Sequence, residues 1–275
     1  MRASTDDRLT ETDRRTIADF GRQWTVHTDN SGYYGSLDML ADLLQPLLPV
    51  NEIAGARIAD IGSGTGRIVN MLLDAGAASV IAVEPSDAVH VLEENTRDRR
   101  DRVTILHASG DRLPPGEDLD LVVSIGVLHH VVDPAPIVRA AFGTLRPGGR
   151  MLVWLYGREG NEAYLAVFGA LRILTRRLPD RVLSRLCAGL NRVLDLYIVL
   201  CRRLPLPLRD YVLNVLSKVD RAKRHLIIYD QLNPAYARYY RRDEAVALLE
   251  AAGFEDVRVH HRHGYSWTVI GRKPG

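Results

Sequence analysis

Between Arg57 and Tyr156 the chain alternates strand-like runs with helical patterns, and this rhythm is the strongest constraint on its fold. Apolar, β-branched runs predict strands over 57–61, 79–83, 103–107, 119–124 and 151–156. Helical spacing between the strands predicts helices over 67–75, 87–97 and 134–145. Ser86 is the predicted N-cap of the helix 87–97, and the turn 146–150 ends the helix 134–145. Such alternation predicts right-handed crossovers and a parallel α/β sheet with helices on both faces.

After residue 156 the pattern becomes helical, and the sheet resumes only near the C-terminus. Residues 157–228 predict an inserted cap of about three helices, divided at Pro179, Pro205 and Pro207. Its two apolar stripes are Tyr164, Val167, Phe168, Leu171 and Leu174, then Leu194, Tyr197, Ile198 and Cys201. A helix over 242–252 and strands over 257–261 and 266–271 follow. The predicted organisation is an N-terminal strap (1–56), a core (57–156 and 229–275) and a cap (157–228) that serves as a lid over a site.

Composition excludes several classes of protein. Hydrophobic residues at 46% and charged residues at 25% are typical of a globular protein, and exclude collagen-like and disordered chains. Two cysteines, Cys187 and Cys201, exclude a disulfide scaffold. The polar N-terminus does not resemble a signal peptide, and no apolar run reaches the ~20 residues that span a bilayer. A soluble, cytoplasmic protein is expected.

The charge is distributed unevenly along the chain. The net charge is +2, yet residues 158–224 hold fourteen Lys or Arg against six Asp or Glu. A basic cap beside an acidic remainder of the chain suggests that the two parts have different functions.

The first predicted strand ends in a glycine-rich turn that is typical of a ligand site. The stretch reads Ile58-Ala-Asp-Ile-Gly-Ser-Gly-Thr-Gly66, and Glu84 follows Gly66 by eighteen residues. Glycines let a ligand approach the backbone at the carboxyl edge of a parallel sheet. An acidic residue at the end of the next strand can accept hydrogen bonds from the hydroxyls of a ribose. Asp60, just before the loop, would repel a pyrophosphate and suits an ammonium or sulfonium ligand. The alternative is a tight turn without a ligand.

On these residues the chain resembles the class I S-adenosylmethionine-dependent methyltransferases. The resemblance covers about 57–156 and 229–275, and also rests on Glu84-Pro85, Leu113-Pro114, Asp120-Leu-Val-Val-Ser124, Val127-Leu-His-His130, Leu145-Arg-Pro-Gly-Gly149 and Ala252-Gly-Phe254. It implies a seven-stranded sheet with the last strand antiparallel. It also implies in-line transfer of a methyl group from S-adenosyl-L-methionine to an O, N or C nucleophile.

The resemblance also implies where the cofactor would bind. The methionine end would lie at Asp60 and the loop residues Gly62, Ser63, Gly64 and Gly66; the ribose at Glu84 and Pro85; the adenine at Ser109 and Gly110; and the sulfonium above Ile125. The family often has an aspartate where this chain has Ser109, so Asp111 is an alternative adenine contact. Trp24 and Tyr34 are candidates to shield the sulfonium by cation–π attraction, the alternative being a packed strap.

His129 and His130 follow the fourth predicted strand at the same edge. An imidazole is suited to act as a general base, and His130 is the stronger candidate. The alternative is that the pair only orders the loop, because methyl transfer can proceed by alignment alone.

Two other motifs are interpreted as non-functional. Asn233-Pro-Ala-Tyr236 is similar to a signature of nucleic-acid amino-methyltransferases, but it follows the cap instead of the fourth strand. In a strand His261 and His263 would share one face and His260 the other, and with no nearby cysteine or carboxylate pair at ligand spacing no metal site is predicted.

The cap predicts the class of acceptor. Nucleic-acid and protein substrates need an open face, so a cap favours a small or lipid-like acceptor, such as a specialised metabolite or glycolipid precursor, and no nucleic acid. Its arginines suit an anionic amphiphile or an acidic membrane surface; they are Arg172, Arg176, Arg177, Arg181, Arg185, Arg202 and Arg203. The favoured interpretation, however, is that the stripes pack against each other or against a second subunit while the arginines are solvated, and a homo-oligomer is expected. A different function also stays open: a binding or isomerising protein that keeps the fold without methyl transfer.

Overall fold

A seven-stranded sheet organises the chain, in the order β3-β2-β1-β4-β5-β7-β6. The computed structural model describes residues 9–162, 165, 175, 178, 180–232 and 236–275. The strands are β1 Arg57–Ile61, β2 Ser79–Val83, β3 Val103–Leu106, β4 Leu119–Ile125, β5 Leu145–Tyr156, β6 Glu255–Arg262 and β7 Ser266–Arg272. β1 to β5 pair in parallel, and β7 lies antiparallel between β5 and β6. The predicted seven-stranded sheet with an antiparallel last strand is confirmed.

Helices cover both faces of this sheet, as its continuously apolar strands require. The helices of the strap and core are α1 Glu11–Val26, α2 Leu37–Leu44, α3 Arg67–Asp74, α4 Val89–Asn95, α5 Ala135–Thr144 and α9 Arg242–Glu250. On one face Leu40, Leu72 and Leu92 of α2, α3 and α4 share a core with alternate strand residues. On the other face Val138 of α5 and Leu249 of α9 share a second core with the remaining strand residues.

Two local predictions were wrong at element ends. α4 begins at Val89 with Ala88 as its N-cap, so Ser86 does not cap the helix. The Ser86 hydroxyl donates to the Glu84 carboxylate and accepts from the Ala88 N–H instead. The stretch 146–150, predicted as a turn, lies within β5: Leu145 pairs with Leu119 and Arg150 with Leu121, so residues 146–149 form an irregularity in this strand.

The inserted helices pack through the second predicted stripe. They are α6 Asp180–Arg203, α7 Arg209–Tyr211, which continues as the π-helical turn Val212–Leu216, and α8 Arg221–Leu232. Ile198 and Cys201 are buried against Val212 and Leu216. α8 extends past the predicted boundary at residue 228. The members of the first stripe lie outside the described residues; they are Tyr164, Val167, Phe168, Leu171 and Leu174. None of the helices in the described ranges is long and apolar enough to cross a membrane.

Candidate active site

The glycine loop turns at the carboxyl edge of the sheet, between β1 and α3. Its N–H groups at Gly62 and Ser63 both donate to the Val83 carbonyl. Gly62 has φ +79°, and a Cβ there would lie 2.3 Å from a methyl carbon of Val127. Gly64 has φ +52°, and a Cβ there would touch the Trp24 ring at 3.5 Å. The positive φ angles at both positions, and the clash with Val127 at Gly62, therefore favour glycine in this loop.

A cavity of about 170 Å³ opens above this loop. Most of the predicted cofactor residues line it, namely Trp24, Tyr34, Gly62, Ser63, Gly64, Glu84, Pro85, Ser109, Gly110 and Ile125. Asp60, Gly66 and Asp111 do not form part of its wall. Gly66 instead caps α3, where a Cβ would approach Leu92 to 2.9 Å. The structure thus gathers residues from 24 to 125 at one edge of the sheet.

The Glu84 carboxylate holds the glycine loop as well as facing the cavity. One oxygen accepts from the Gly64 N–H at 2.7 Å. The other accepts from the Ser86 N–H at 2.9 Å and from the Ser86 hydroxyl at 2.5 Å. Sequence reasoning placed Glu84 on a ribose but did not foresee this fixing role, since no local pattern signals a contact across twenty residues.

Asp60 lies beneath the loop with a buried carboxylate. Burial raises the pKa of Asp60 to about 7, while Ser63 and the charge of Arg67 act in the opposite direction. Within the described part of the chain, its Oδ2 has no hydrogen-bond partner. A buried carboxylate that lacks a partner is stabilised in its ionised form by a bound cation, and such a cation would lower the pKa of Asp60 again.

Helix α1 and the turn after it cover the cavity. Phe20, Trp24 and Tyr34 form its upper wall. The Asn30 side chain pairs with Thr65 of the glycine loop, accepting from its hydroxyl at 2.8 Å and donating to its carbonyl at 3.2 Å. The N-terminal segment is therefore fastened to the loop it covers.

Arg67 is a site residue that sequence reasoning missed. It lines the cavity, places its guanidinium 4.2 Å from the Tyr34 ring centroid and donates to the Tyr34 carbonyl at 3.2 Å. The sequence signal that could have identified Arg67 is its position directly after Gly66, which makes it the first residue of α3 and a neighbour of the glycine loop.

The two histidines have different environments. His130 lines the cavity, and its Nδ1 lies 2.8 Å from the Tyr236 carbonyl. A carbonyl only accepts, so neutral His130 carries its proton on Nδ1 and has a basic lone pair on Nε2. His129 is completely buried, stacks on Tyr156 at 3.8 Å and does not line the cavity. Burial, followed by the charge of His130, holds the pKa of His129 well below its usual range.

Two further cavities follow the cofactor cavity on the side of the cap. A chamber of about 140 Å³ shares Phe20 and His130 with the cofactor cavity. The same chamber shares Tyr156, Tyr211 and Ile227 with a cap cavity of about 620 Å³. The remaining lining of the cap cavity is mostly apolar, with Gly160, Asn161, Leu190, Val193, Leu194, Tyr197, Pro207, Leu208, Val212, Leu216, Ile228, Tyr239 and Tyr265. Sequence reasoning predicted a cap, but it did not predict that a cavity of the cap would share lining residues with a chamber beside the cofactor cavity.

The other sequence candidates lie elsewhere. His261 stacks on Trp267, whereas His263 lies in the turn after β6 and contacts Asp42 at 2.7 Å, so the two do not share a strand face as predicted. Among the described residues no group of His, Cys, Asp or Glu is placed to hold a metal ion. Of the motif 233–236, only Tyr236 is described, and its carbonyl is the partner of His130.

Comparison with known proteins places the core in a family. Residues 59–153 match the family model described as a methyltransferase domain. The chain carries a class I S-adenosylmethionine-dependent methyltransferase domain. The domain is 27% identical over 138 residues to the ubiquinone biosynthesis O-methyltransferase of Pseudomonas fluorescens, a match that covers 47% of this chain and 58% of that protein. The chain thus spans little more than half the length of the curated relatives it matches.

Solved structures show the same fold for the methyltransferase domain. An S-adenosylmethionine-dependent methyltransferase from Mesorhizobium loti has a TM-score of 0.51 and 18% identity, covering 86% of this chain and 99% of that one. One from Aquifex aeolicus has a TM-score of 0.51 and 14% identity, covering 92% and 98%.

The residues of the cavity fit S-adenosylmethionine. The orphaned Oδ2 of Asp60, beneath the glycine loop, suits an ammonium group, and a side chain at Gly62 would clash with Val127. The aromatic side chains of Trp24 and Tyr34 line the same cavity, which suits a sulfonium. The charge and the hydrogen-bonding groups of these residues therefore fit this cofactor.

Proposed function

We propose that this protein transfers a methyl group from S-adenosylmethionine to a small or lipid-like acceptor whose apolar body occupies the cap cavity. The observation that carries the proposal is a row of three neighbouring cavities, from the glycine loop past His130 to the apolar cap, in which each cavity shares lining residues with the next. The cofactor supplies an electrophilic methyl group on its sulfonium. The naming of the curated relatives as O-methyltransferases favours a hydroxyl as the nucleophile.

The residues around the junction align the acceptor and take its proton. Tyr156, Tyr211 and Ile227 bound both the chamber and the cap cavity, so an acceptor that fills the cap presents its polar end beside His130. His130 Nε2 accepts the hydroxyl proton as the oxygen attacks, and the Tyr236 carbonyl keeps the other proton on Nδ1. Alignment and exclusion of water by α1 and the cap supply the rest of the catalysis.

The enclosed geometry also selects against large acceptors. The strap and the cap are held together by Lys223 of α8, which forms an ion pair with Asp29 at 3.2 Å. Lys223 also faces the Tyr34 ring at 5.3 Å from its centroid. These contacts on the strap side, together with the apolar lining of the cap cavity, support a small or amphiphilic acceptor over a folded protein or duplex nucleic acid.

Paired binding and turnover measurements test this function. Calorimetry with S-adenosylmethionine measures cofactor binding, and release of S-adenosylhomocysteine with a panel of hydroxylated apolar compounds measures transfer. Binding together with acceptor-dependent turnover supports the proposal. Cofactor binding without turnover across an extract of the native metabolites would instead indicate a binding protein.

Replacing Ile227 with tryptophan should separate acceptors by the length of their apolar chain. Ile227 lies where the chamber joins the cap cavity, so a larger ring there narrows the passage. For phenols with increasing alkyl length, we expect KM to rise about tenfold for the long members, consistent with an overpacking cost of about 1–3 kcal/mol. Short phenols and cofactor affinity should change little. Equal KM values along the whole series would argue against apolar binding in the cap.

The affinity for S-adenosylmethionine should depend on Asp60 and on pH. Because burial raises the pKa of Asp60 to about 7, the free protein is protonated there below that pH. The cofactor ammonium favours the ionised carboxylate, so binding should release a proton and strengthen as pH rises from about 5.5 to 7.5. Calorimetry in buffers of different ionisation enthalpy measures the released proton. Asp60→Asn should bind weakly and lose the proton release; the same pH slope in that variant would assign the titration to another group.

A further inference from the structure

The outer face of α6 is an exposed apolar surface. At about 3.6 residues per turn, one side of this 24-residue helix faces the cap interior and the other faces away from it. Exposed apolar side chains of the outer side are Val182, Val193, Leu196, Val199 and Leu200, with Leu204 directly after the helix. Val193 and Leu196 are 64% and 62% exposed against the described remainder of the chain. We call these six residues the α6 outer face; a row of this size needs an occupant.

Arginines lie on the same side. Arg185, Arg192 and Arg203 fall between the apolar residues on the helical projection, and all three are exposed. No carboxylate of the described residues forms an ion pair with them. Asp195, the acidic residue nearest to this side, is already shared by Arg221 and Arg224 of α8. The α6 outer face is therefore apolar and cationic, which is complementary to an anionic and apolar partner.

The apolar surface continues into the cap cavity. Leu190, Leu194 and Tyr197 line that cavity from the inner side of α6. Val193 also lines it, although most of its side chain is exposed. The cavity therefore borders the α6 outer face at Val193, and whatever covers the face lies next to an entrance for apolar molecules.

We propose that the α6 outer face docks the protein on the surface of an anionic lipid membrane. An amphipathic helix with leucine and valine between arginines lies in the interface of a bilayer, with its apolar residues among the acyl chains and its guanidiniums at the lipid phosphates. Arginine stems can extend along apolar surface to reach those phosphates. Docked in this way, the helix positions the cap cavity to receive an amphiphile directly from the bilayer.

A second copy of the chain is a poorer occupant of the same face. A two-fold symmetric contact places identical surfaces against each other, so Arg185, Arg192 and Arg203 would meet arginines of the other copy. The described part of α6 offers Asp195 as a carboxylate, and it is already paired. Like charges without partners at a buried contact oppose association.

Vesicle flotation of the full chain tests the proposal. Vesicles of phosphatidylcholine alone are compared with vesicles that also contain phosphatidylglycerol, at low salt and at about 0.5 M salt, where charge interactions are screened. We expect flotation only with the anionic vesicles and its loss at high salt. Arg192→Gln and Arg203→Gln together should weaken partitioning about 25-fold, since each basic residue near an anionic surface contributes about fivefold. Leu196→Asp should abolish it.

Matched controls keep the test specific. Arg100→Gln removes an exposed arginine after α4, and Leu37→Asp removes an exposed leucine at the start of α2, away from the α6 outer face. Both should float like the unmodified protein. Thermal unfolding should be unchanged in all variants, because every altered side chain is exposed.

Three results would overturn the proposal. They are absence of flotation at low salt, equal flotation with neutral vesicles, and unchanged flotation in the Leu196→Asp variant. A dimer by light scattering that dissociates in Leu196→Asp, without flotation of the unmodified chain, would assign the face to a second copy. The docking surface does not depend on methyl transfer, since flotation needs neither cofactor nor acceptor.

Discussion

Replacing Gly62 with arginine should abolish binding of S-adenosylmethionine. Gly62 has φ +79°, a region that costs a non-glycine residue about 1–3 kcal/mol. Its Cβ would also lie 2.3 Å from Val127, so either the loop or the Val127 turn must move. Calorimetry should show at least a ~100-fold loss of affinity, equal to about 2.7 kcal/mol.

Gly55→Arg is the matched control for this variant. Gly55 has φ +74°, nearly the same backbone conformation, but a Cβ there has no atom within 4 Å. It lies before β1 and does not line the cofactor cavity. The control should lose some thermal stability and keep its cofactor affinity. If both variants bind S-adenosylmethionine equally well, the glycine loop is a structural turn and not the cofactor site.

Replacing His130 with alanine should reduce turnover about 10²–10⁴-fold, the usual contribution of a general base. The affinity for S-adenosylmethionine should stay within about threefold, because the glycine loop is held by the Glu84 carboxylate and the Val83 carbonyl and not by the His130 side chain. Single-turnover rates and calorimetric affinities measure the two effects separately. His90→Ala, which alters an exposed histidine of α4, should have neither effect.

His130→Asn distinguishes a base from a residue that only orders the loop. The asparagine amide can donate to the Tyr236 carbonyl as Nδ1 does, but it cannot accept a proton from the acceptor. If His130 is the base, the asparagine variant should be as slow as the alanine variant while unfolding at a higher temperature. Near-normal turnover in the asparagine variant would show that the hydrogen bond to Tyr236 is what matters.

Much of the core could be predicted because its signals are local. A strand that ends in glycines, an acid eighteen residues later and the strand–helix rhythm are each set by neighbouring residues. These local preferences agree with the parallel sheet that forms. Errors occurred at element ends such as Ser86, where a side chain has several hydrogen-bond partners within reach and the tertiary contact with Glu84 decides between them.

The sequence alone determined the class of fold, the glycine loop at the sheet edge and the basic, helical character of the insertion. Only the tertiary structure decided that Asn30 pairs with Thr65, that His130 rather than His129 faces the cavity, and that an apolar cavity of the cap lies close to the cofactor site. The hydrogen bond from His130 to Tyr236 joins residues 106 positions apart. No periodicity encodes such a contact, because it depends on how the cap returns to the sheet, and that is set by packing of the whole chain.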